Sequence, residues 1–297
     1  MPRKFYSDCA ECLMRGSMKK IESVRDEALR YRYALGICKI IEEIDPEKEA
    51  APVAEGRAIR LRRDLLGLQD DYSEVKHLYN ALLLHLYPEL QARVRNAADP
   101  LYAALQLSAA GNFIDFGVFD DVKPDDLLHM LDETAQKKLN DGEYARLRED
   151  LAQAHTLTFV HDNCGEIVLD KLLIETILGI WPDIHVLSVV RACPVINDAT
   201  MDDAREVHLP DVAEVIPNGI PDVAGTPPTL LPESVLARLQ ASDVLISKGQ
   251  GNFETLMGSG LNVYYLLLAK CVHYTKWFGF ERFSAVLQND RRMHFGG

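Results

Sequence analysis

The chain has 297 residues and a formal net charge of −13, which argues against a nucleic-acid surface and against attraction to anionic lipid. Hydrophobic residues are 47% and charged residues 26%, an ordinary balance for a folded protein, and the apolar runs are too short to span a membrane. We therefore expect a globular protein without nucleic-acid or membrane partners, long enough for one large or two modest domains.

The six cysteines are scattered along the chain, which favours free thiols and a cytoplasmic location. The N-terminal residues also lack the apolar core of a signal peptide. Cys9 and Cys12 form a C-x-x-C pair. Because no second pair lies close by, plain cysteines are the preferred interpretation, with a structural metal site or a redox pair as the alternative.

Residues 1 to about 108 are predicted to form a helical domain, because no strand pattern occurs in them. Pro88 interrupts one long helical pattern and is expected to kink or divide that helix. Apolar residues recur at helical spacing in four segments of this domain: residues 25–43, 54–66, 72–96 and 101–110.

The rest of the chain, residues 109–297, is predicted to be an α/β domain with a mostly parallel sheet. The proline-rich residues 209–232 are expected to form a loop-rich crossover, and the C-terminal tail with Arg291, Arg292 and His294 is expected to be exposed. Four short apolar segments are typical of buried strands: residues 157–161, 184–190, 242–247 and 263–269.

A tight polar turn, D-N-C-G, follows the first predicted strand and precedes a helical pattern. In an open α/β sheet, ligands bind at the carboxyl ends of the strands. Asp162 and Asn163 are adjacent oxygen-bearing side chains in this turn, and they suit a hard cation such as magnesium or manganese. The alternative is that one of them only caps the following helix.

A second polar cluster follows the next predicted strand and contains Asp198. Neighbouring parallel strands end side by side, so Asp198 can converge with Asp162 and Asn163 on one point. The alternative is an ordinary helix start, with Asn197 or Thr200 as the capping residue.

A third cluster, K-G-Q-G-N, follows the third predicted strand. Lys248 next to Gly249 is typical of a phosphate cradle, in which exposed backbone N–H groups act together with one cation. The order of residues is not that of a Walker P-loop. Three strand ends with complementary charges favour a site in which a metal and a phosphate bind together.

A glycine-flanked segment, G-N-F-I-D-F-G, lies at the start of the second predicted domain. Asn112 and Asp115 are polar residues among apolar neighbours, so each needs a partner if it is buried. The residues alone leave open whether this segment contacts a ligand or forms a structural loop held by its own side chains.

Four motifs occur in order along the chain: G-N-F-I-D-F-G, D-N-C-G-E-x-x-x-D, N-D-A-T-x-x-D-A and K-G-Q-G-N-F-E. In these motifs the chain resembles the damage-control phosphatase family, also called the domain-of-unknown-function 89 family, and its prokaryotic, cysteine-bearing branch. The similarity runs from Cys9 to Cys271. The resemblance implies a three-layer α/β/α sandwich with an N-terminal helical domain, and metal-dependent hydrolysis of small phosphate esters, often damaged or excess metabolites.

The resemblance also implies roles for individual residues. The metal would be manganese, cobalt, nickel or magnesium, with Asp162, Asn163 and Asp198 as its ligands. Lys248 would contact the phosphate. Asn112 and Asp115 match a motif that lines the pocket of the family. One departure, Asp-Asp-Tyr at residues 70–72 where the family has Asp-Pro-Tyr, concerns a contact on the substrate side.

We therefore predict a metal-dependent phosphatase acting on small phosphorylated metabolites such as sugar phosphates or nucleotides. A metal-bound water is the expected nucleophile, and a covalent phosphate on Asp162 is the alternative. The oligomeric state stays open. The predicted catalytic residues are Asp162, Asp198 and Lys248, and the predicted substrate-binding residues are Asn112, Asp115, Lys248, Gly249, Asn252 and Glu254.

Two other functions are compatible with parts of the sequence. A carboxyl methyltransferase that uses S-adenosylmethionine would need a glycine-rich loop after its first strand, and no G-x-G-x-G follows a predicted strand here. A non-catalytic protein that binds a metabolite through a structural metal would bind ligand without turnover.

Overall fold

A single sheet of six strands forms the centre of the molecule, in the spatial order β3-β2-β1-β4-β5-β6. The computed structural model describes residues 3–112, 124–271, 275–276 and 278–293. Neighbouring strands are parallel except for β5 and β6, which are antiparallel. The strands are β1 (Thr156–Val160), β2 (His185–Val190), β3 (Glu214–Pro217), β4 (Val244–Lys248), β5 (Val263–Leu268) and β6 (Ala285–Asn289).

Helices cover both faces of the sheet, which explains why its central strands are almost continuously apolar. Side chains alternate between two apolar clusters along each strand: Val244 and Ile246 of β4 face one cluster, and Leu245 faces the other. The predicted α/β fold, with a mostly parallel sheet between helical layers, is therefore confirmed. Helices α1 to α6 are Ser7–Lys19, Glu27–Glu43, Ala51–Leu66, Ser73–Asn96, Pro100–Gly111 and Pro124–Ala135. Helices α7 to α11 are Asp141–Gln153, Glu166–Ile180, Met201–Glu206, Glu233–Ala241 and Gln250–Leu256.

The N-terminal helices pack in two ways. Residues of α1, α2 and α3 share an apolar cluster of their own, which includes Tyr33 and Ile37. Residues of α4 and α5, such as Leu83 and Leu105, belong instead to the cluster that covers one face of the sheet. A helical domain that ends at residue 108 stays a prediction.

Some local predictions were wrong. Helix α4 is not divided at Pro88, which lies inside it, and a kink at this proline stays a prediction. Strand β3 was not predicted; it lies inside the proline-rich residues 209–232, which were expected to form a loop-rich crossover. Strand β6 was not predicted, and Arg292, which was expected to be exposed, is half-buried and donates to Glu143 Oε2 at 2.7 Å, whereas Arg291 is exposed as predicted. His294 lies outside the described residues.

The C-x-x-C pair lies on α1, where both thiols are free. Burial raises the pKa of Cys9 to about 11, which leaves its thiol protonated and unreactive at neutral pH. In the described ranges, no helix has both the length and the apolar character needed to cross a bilayer.

Candidate active site

The loops after β1 and β2 meet at the carboxyl edge of the sheet. The backbone N–H of Ala199 donates to the Asp162 carbonyl at 2.7 Å, and that of Cys164 donates to the Asn197 carbonyl at 2.9 Å. Asn163 and Asp198 also pair as an isolated antiparallel bridge. The structure thus brings the three predicted metal ligands, Asp162, Asn163 and Asp198, to one place.

Two amide side chains each donate hydrogen bonds to the same two carboxylates in this site. Asn163 Nδ2 donates to Asp162 Oδ2 at 2.8 Å and to Glu166 Oε2 at 2.9 Å. Asn112 Nδ2 donates to the same two oxygens at 3.1 and 3.0 Å. The Asn112 side chain is oriented in turn by the Leu268 N–H, which donates to its Oδ1 at 3.3 Å. Asn112, at the end of α5, therefore connects the sheet edge to the first acidic loop.

Arg191, the first residue after β2, is fully buried beside these acids. Its Nε donates to Asp198 Oδ2 at 2.5 Å, and its Nη1 donates to Asn252 Oδ1 at 2.9 Å and to Thr226 Oγ1 at 3.1 Å. Its Nη2 lies 3.6 Å from Asp162 Oδ1 and has no hydrogen-bond partner among the residues that the structure describes. A buried guanidinium with one unused N–H donor group can donate a hydrogen bond to an anionic ligand.

Lys248 lies beneath the site and is fully buried. Its Nζ donates to the Ser108 carbonyl at 2.6 Å and lies 2.7 Å from Glu166 Oε1 and 3.4 Å from Asp170 Oδ1. Burial lowers the pKa of Lys248, but the charges of Asp170 and Glu166 outweigh that effect and raise it overall. The ammonium therefore stays charged and holds Glu166 in place, and the predicted direct contact with phosphate stays a prediction.

A second buried polar group lies behind Lys248. His161 Nδ1 is 3.0 Å from Asp170 Oδ2, and its Nε2 is 3.0 Å from Ser188 Oγ. Ser108 donates from its Oγ to the other oxygen of Asp170 at 2.7 Å. These hydrogen bonds satisfy the buried Asp170 carboxylate and hold it in a fixed position next to Lys248.

The buried negative charge of the site is only partly neutralised by the neighbouring basic side chains. Burial raises the pKa of Asp162 well above its ordinary value, and Asp198 and Glu166 raise it further, against the opposing effects of Arg191 and Lys270. Burial also raises the pKa of Asp198, although Arg191 opposes this rise. An added cation would stabilise these carboxylates in their charged form.

The donor set fits a hard divalent cation. No three His, Cys, Asp or Glu side chains within the described ranges are arranged to hold a metal, so a metal bound by Asp162 and Asp198 would need the Asn163 amide oxygen as its third donor. That oxygen accepts one hydrogen bond, from Asn197 Nδ2 at 2.8 Å, and a carbonyl oxygen has a second lone pair. Two carboxylates and one amide oxygen are ligands of the kind that magnesium and manganese prefer.

The glycine after β4 allows the third loop to approach the first. Gly249 has a φ of +75°, and a Cβ atom built on it would lie 1.8 Å from Asp162 Oδ2. We therefore expect Gly249→Ala to displace the Asp162 carboxylate and to lower kcat/KM for phosphate release by about 100-fold, as small displacements in active sites do.

Gly260→Ala is the matched control for this substitution. Gly260 has the same φ of +75°, but nothing lies within 4 Å of the position that the added methyl group would occupy, so only the backbone strain is shared. Steady-state kinetics on both variants test the argument. Equal losses of activity in Gly249→Ala and Gly260→Ala would show that strain, and not the approach to Asp162, is responsible.

Two further glutamates, Glu254 and Glu55, lie close enough to interact with each other electrostatically. Glu254 is buried on α11 and accepts from Gln250 Nε2 at 2.7 Å. Burial raises the pKa of Glu254 to about 7, and the charge of Glu55 adds to this rise. Glu55, on α3, has an exposed surface but is surrounded by many protein atoms. The resulting loss of solvation, together with the charge of Asp198, raises the pKa of Glu55 as well.

The remaining predicted residues have different surroundings. Asn252 is fully buried, and its Nδ2 donates to the carbonyls of His161 and Lys248 at 2.9 and 2.8 Å, so it joins the strand ends and orients Arg191. Asp115 lies outside the described residues. Glu166, Arg191 and Asp170 were not predicted as site residues, although Glu166 and Asp170 are four residues apart on α8 and so share one face of that helix.

The fold and the site together define a doubly wound α/β protein with a charged acid-and-amide site at the carboxyl ends of its central strands. A family model described as the Damage-control phosphatase ARMT1-like domain matches residues 5–286. The chain belongs to the damage-control phosphatase family, and the resemblance seen in its motifs is confirmed.

Relatives and a solved structure agree with this assignment. A damage-control phosphatase of Pyrococcus horikoshii is 29% identical over 273 residues, which are 90% of this chain and 92% of that protein. A damage-control phosphatase of Archaeoglobus fulgidus is 30% identical over 226 residues, which are 74% of this chain and 77% of that protein. The crystal structure of a DUF89 family protein from Pyrococcus horikoshii, 26% identical, aligns with a TM-score of 0.78 over 96% of this chain and 99% of that chain. These similarities support a phosphatase role.

Proposed function

We propose that this protein is a metal-dependent phosphatase that hydrolyses small phosphate monoesters, such as sugar phosphates or nucleotides. Family membership supports the phosphatase role. The observation that carries the metal dependence is the meeting of Asp162, Asn163 and Asp198, in a buried place where negative charge is in excess. The cytoplasmic location, and the lack of nucleic-acid and membrane partners, stay predictions.

Asp162, Asn163 and Asp198 would hold the metal, which we expect to be manganese, cobalt, nickel or magnesium. When bound there, a divalent cation neutralises charge on the phosphoryl oxygens and lowers the pKa of a bound water. The amide donors of Asn112 and Asn163 orient the Asp162 carboxylate before substrate arrives, so little rearrangement is needed during the reaction.

Arg191 binds a phosphoryl oxygen in this proposal. Its guanidinium is fixed by Asp198, Asn252 and Thr226, and its Nη2 is the group without a hydrogen-bond partner among the described residues. A donor that is already oriented and shielded from water stabilises developing negative charge more strongly than a mobile surface arginine does. Backbone N–H groups from Gly249 onwards are the proposed partners of the other phosphoryl oxygens.

Water is the nucleophile that the geometry favours over Asp162. Asp162 Oδ2 already accepts two amide hydrogen bonds, and its Oδ1 faces Arg191, so both oxygens are drawn away from attack on phosphorus. Glu254, with a pKa of about 7, is partly protonated at neutral pH and suits transfer of a proton to or from the reacting groups. Asp115 and Glu254 stay the proposed base or substrate-hydroxyl contacts.

A cavity beside the site has the size of a small-metabolite pocket. Its volume is about 560 Å³, and it is lined by residues of α3, of the α3–α4 loop, of α4 and of the loop after β2, among them Arg62, Asp70, Tyr72 and Ile196. Pockets of about 300–1,000 Å³ hold small ligands in proteins. The departure from the family pattern at residues 70–72 therefore falls in the wall of this cavity.

We expect protein stripped of metal to release no phosphate from p-nitrophenyl phosphate or from a panel of sugar and nucleotide phosphates. Adding manganese, cobalt, nickel or magnesium should restore turnover, because the bound cation offsets the charge of the buried carboxylates and of the phosphate. Phosphate release is measured for each metal and substrate. Binding of a metal without turnover on any member of the panel would contradict the phosphatase and favour the metabolite-binding alternative.

A further inference from the structure

Asn80 lies in the first half of α4 and is fully buried, far along the chain from its partners in the turn after β1 and on α9. Its Oδ1 accepts a hydrogen bond from the Gly165 N–H at 2.6 Å. Its Nδ2 donates to Asp203 Oδ1 at 3.0 Å and to Glu206 Oε2 at 2.7 Å. Both ends of this amide therefore have partners: the oxygen bonds to the turn after β1, and the nitrogen bonds to α9, which follows the loop after β2.

Two partners of Asn80 are close in the chain, or through one hydrogen-bonded residue, to the proposed metal ligands. Gly165 is two residues after Asn163, in the turn between β1 and α8. Asp203 is the residue whose Oδ2 accepts from the Thr200 N–H at 2.8 Å and from Thr200 Oγ1 at 2.7 Å, and Thr200 is two residues after Asp198. Asn80 thus closes a ring of hydrogen bonds that includes both loops.

The surroundings of Asn80 make the ring rigid. Lys76, one turn earlier on α4, lies with its Nζ 2.6 Å from Asp203 Oδ2 and is also buried. Gly165 has a φ of +69°, and a Cβ atom on it would lie 3.2 Å from Tyr79 Cβ, so α4 packs directly on the turn. Buried polar networks that are fully satisfied hold their members in one arrangement.

We propose that Asn80 is a positioning residue for the metal: it sets the distance between the two loops so that Asp162, Asn163 and Asp198 can share one cation. The proposal rests on the proposed metal-dependent function. Asparagine suits this position because it presents one acceptor to Gly165 and donors to the two carboxylates. Aspartate would place a third negative charge against Asp203 and Glu206, and leucine would leave the Gly165 N–H without its acceptor.

The test compares Asn80→Leu and Asn80→Asp with wild type and with Gln91→Leu. Gln91 is the matched control because it lies on the same helix, and its Nε2 donates to Glu175 Oε2 of α8 at 3.1 Å, away from the acidic loops. The manganese Kd of each metal-free protein is measured by titration calorimetry, together with its thermal unfolding and its phosphate release.

We expect both Asn80 variants to bind manganese about 10- to 100-fold more weakly, as loss of a residue that orients metal ligands typically does, and Gln91→Leu to bind as wild type does. Adding Glu206→Gln to Asn80→Asp supplies a donor between the two side chains and should recover part of the affinity. Because Asn80→Asp keeps the shape of the side chain, it serves if Asn80→Leu does not fold.

Folded Asn80 variants with an unchanged manganese Kd would overturn the positioning role. A loss of affinity in Gln91→Leu equal to that in the Asn80 variants would overturn it too, since general destabilisation would then explain both. If wild type binds manganese but releases no phosphate, the proposed phosphatase fails while the Kd comparison still decides the role of Asn80. If wild type binds no divalent metal, both proposals fail.

Discussion

Asp162→Asn is expected to lower kcat/KM for metal-dependent phosphate release by about 1000-fold, which corresponds to about 4 kcal/mol of transition-state stabilisation. The substitution keeps the shape of the side chain but removes the charge that would bind the cation. It also leaves Arg191, which lies 3.6 Å from Asp162 Oδ1, with one less carboxylate nearby. Kinetics at several manganese concentrations separate weaker metal binding from slower chemistry.

Asp243→Asn is the matched control for this variant. Asp243 lies at the opposite, amino-terminal end of β1, where one oxygen accepts from the N–H groups of His155 and Thr156, each at 2.9 Å. Its loss should weaken the fold without changing kcat/KM. Near-wild-type activity in a folded Asp162→Asn protein would contradict the assignment of Asp162 as a metal ligand.

Lys248→Met is expected to lower the free energy of unfolding by about 3–5 kcal/mol, because it leaves buried carboxylates without their cation. Lys248 is the buried partner of both Glu166 and Asp170. Denaturant unfolding at neutral pH measures the change. The control is Lys39→Met, which removes an exposed lysine that lies 3.7 Å from Glu43 and should leave stability unchanged.

A double variant shows whether the charge of Lys248 acts as the structure indicates. In Lys248→Met/Asp170→Asn, one of the two carboxylates that lose their lysine partner is replaced by a neutral amide. Part of the lost stability should therefore return. If Lys248→Met is as stable as wild type yet inactive, Lys248 would act on the phosphate alone. The stabilising interaction of Lys248 with Glu166 and Asp170 would then be contradicted.

The sequence was informative about the sheet because buried parallel strands are short, apolar and bounded by polar turns. It was least informative at the sheet edges. Strand β3 has four residues, Glu214–Pro217, with prolines around it, and β6 follows a segment without a clear period. Edge strands bury less apolar surface, so their composition differs little from that of a loop.

The site was predictable where the topology alone brings residues together. Asp162 and Asp198 follow adjacent parallel strands, and the end of one parallel strand lies beside the end of the next. Arg191 was not predictable in the same way, because a charged residue directly after a strand usually marks the surface. Lys248 next to glycine likewise suggested a cation that contacts phosphate, and its burial is explained by the α8 pair Glu166 and Asp170 together with the Ser108 carbonyl.

One divalent cation is proposed to bind where the loops after β1 and β2 meet. The most direct measurement is an anomalous difference map from crystals of the protein grown with manganese. We predict one strong peak in contact with oxygen atoms of Asp162, Asn163 and Asp198. A well-ordered site without a peak at saturating manganese, or a peak bound by other residues, would contradict the claim.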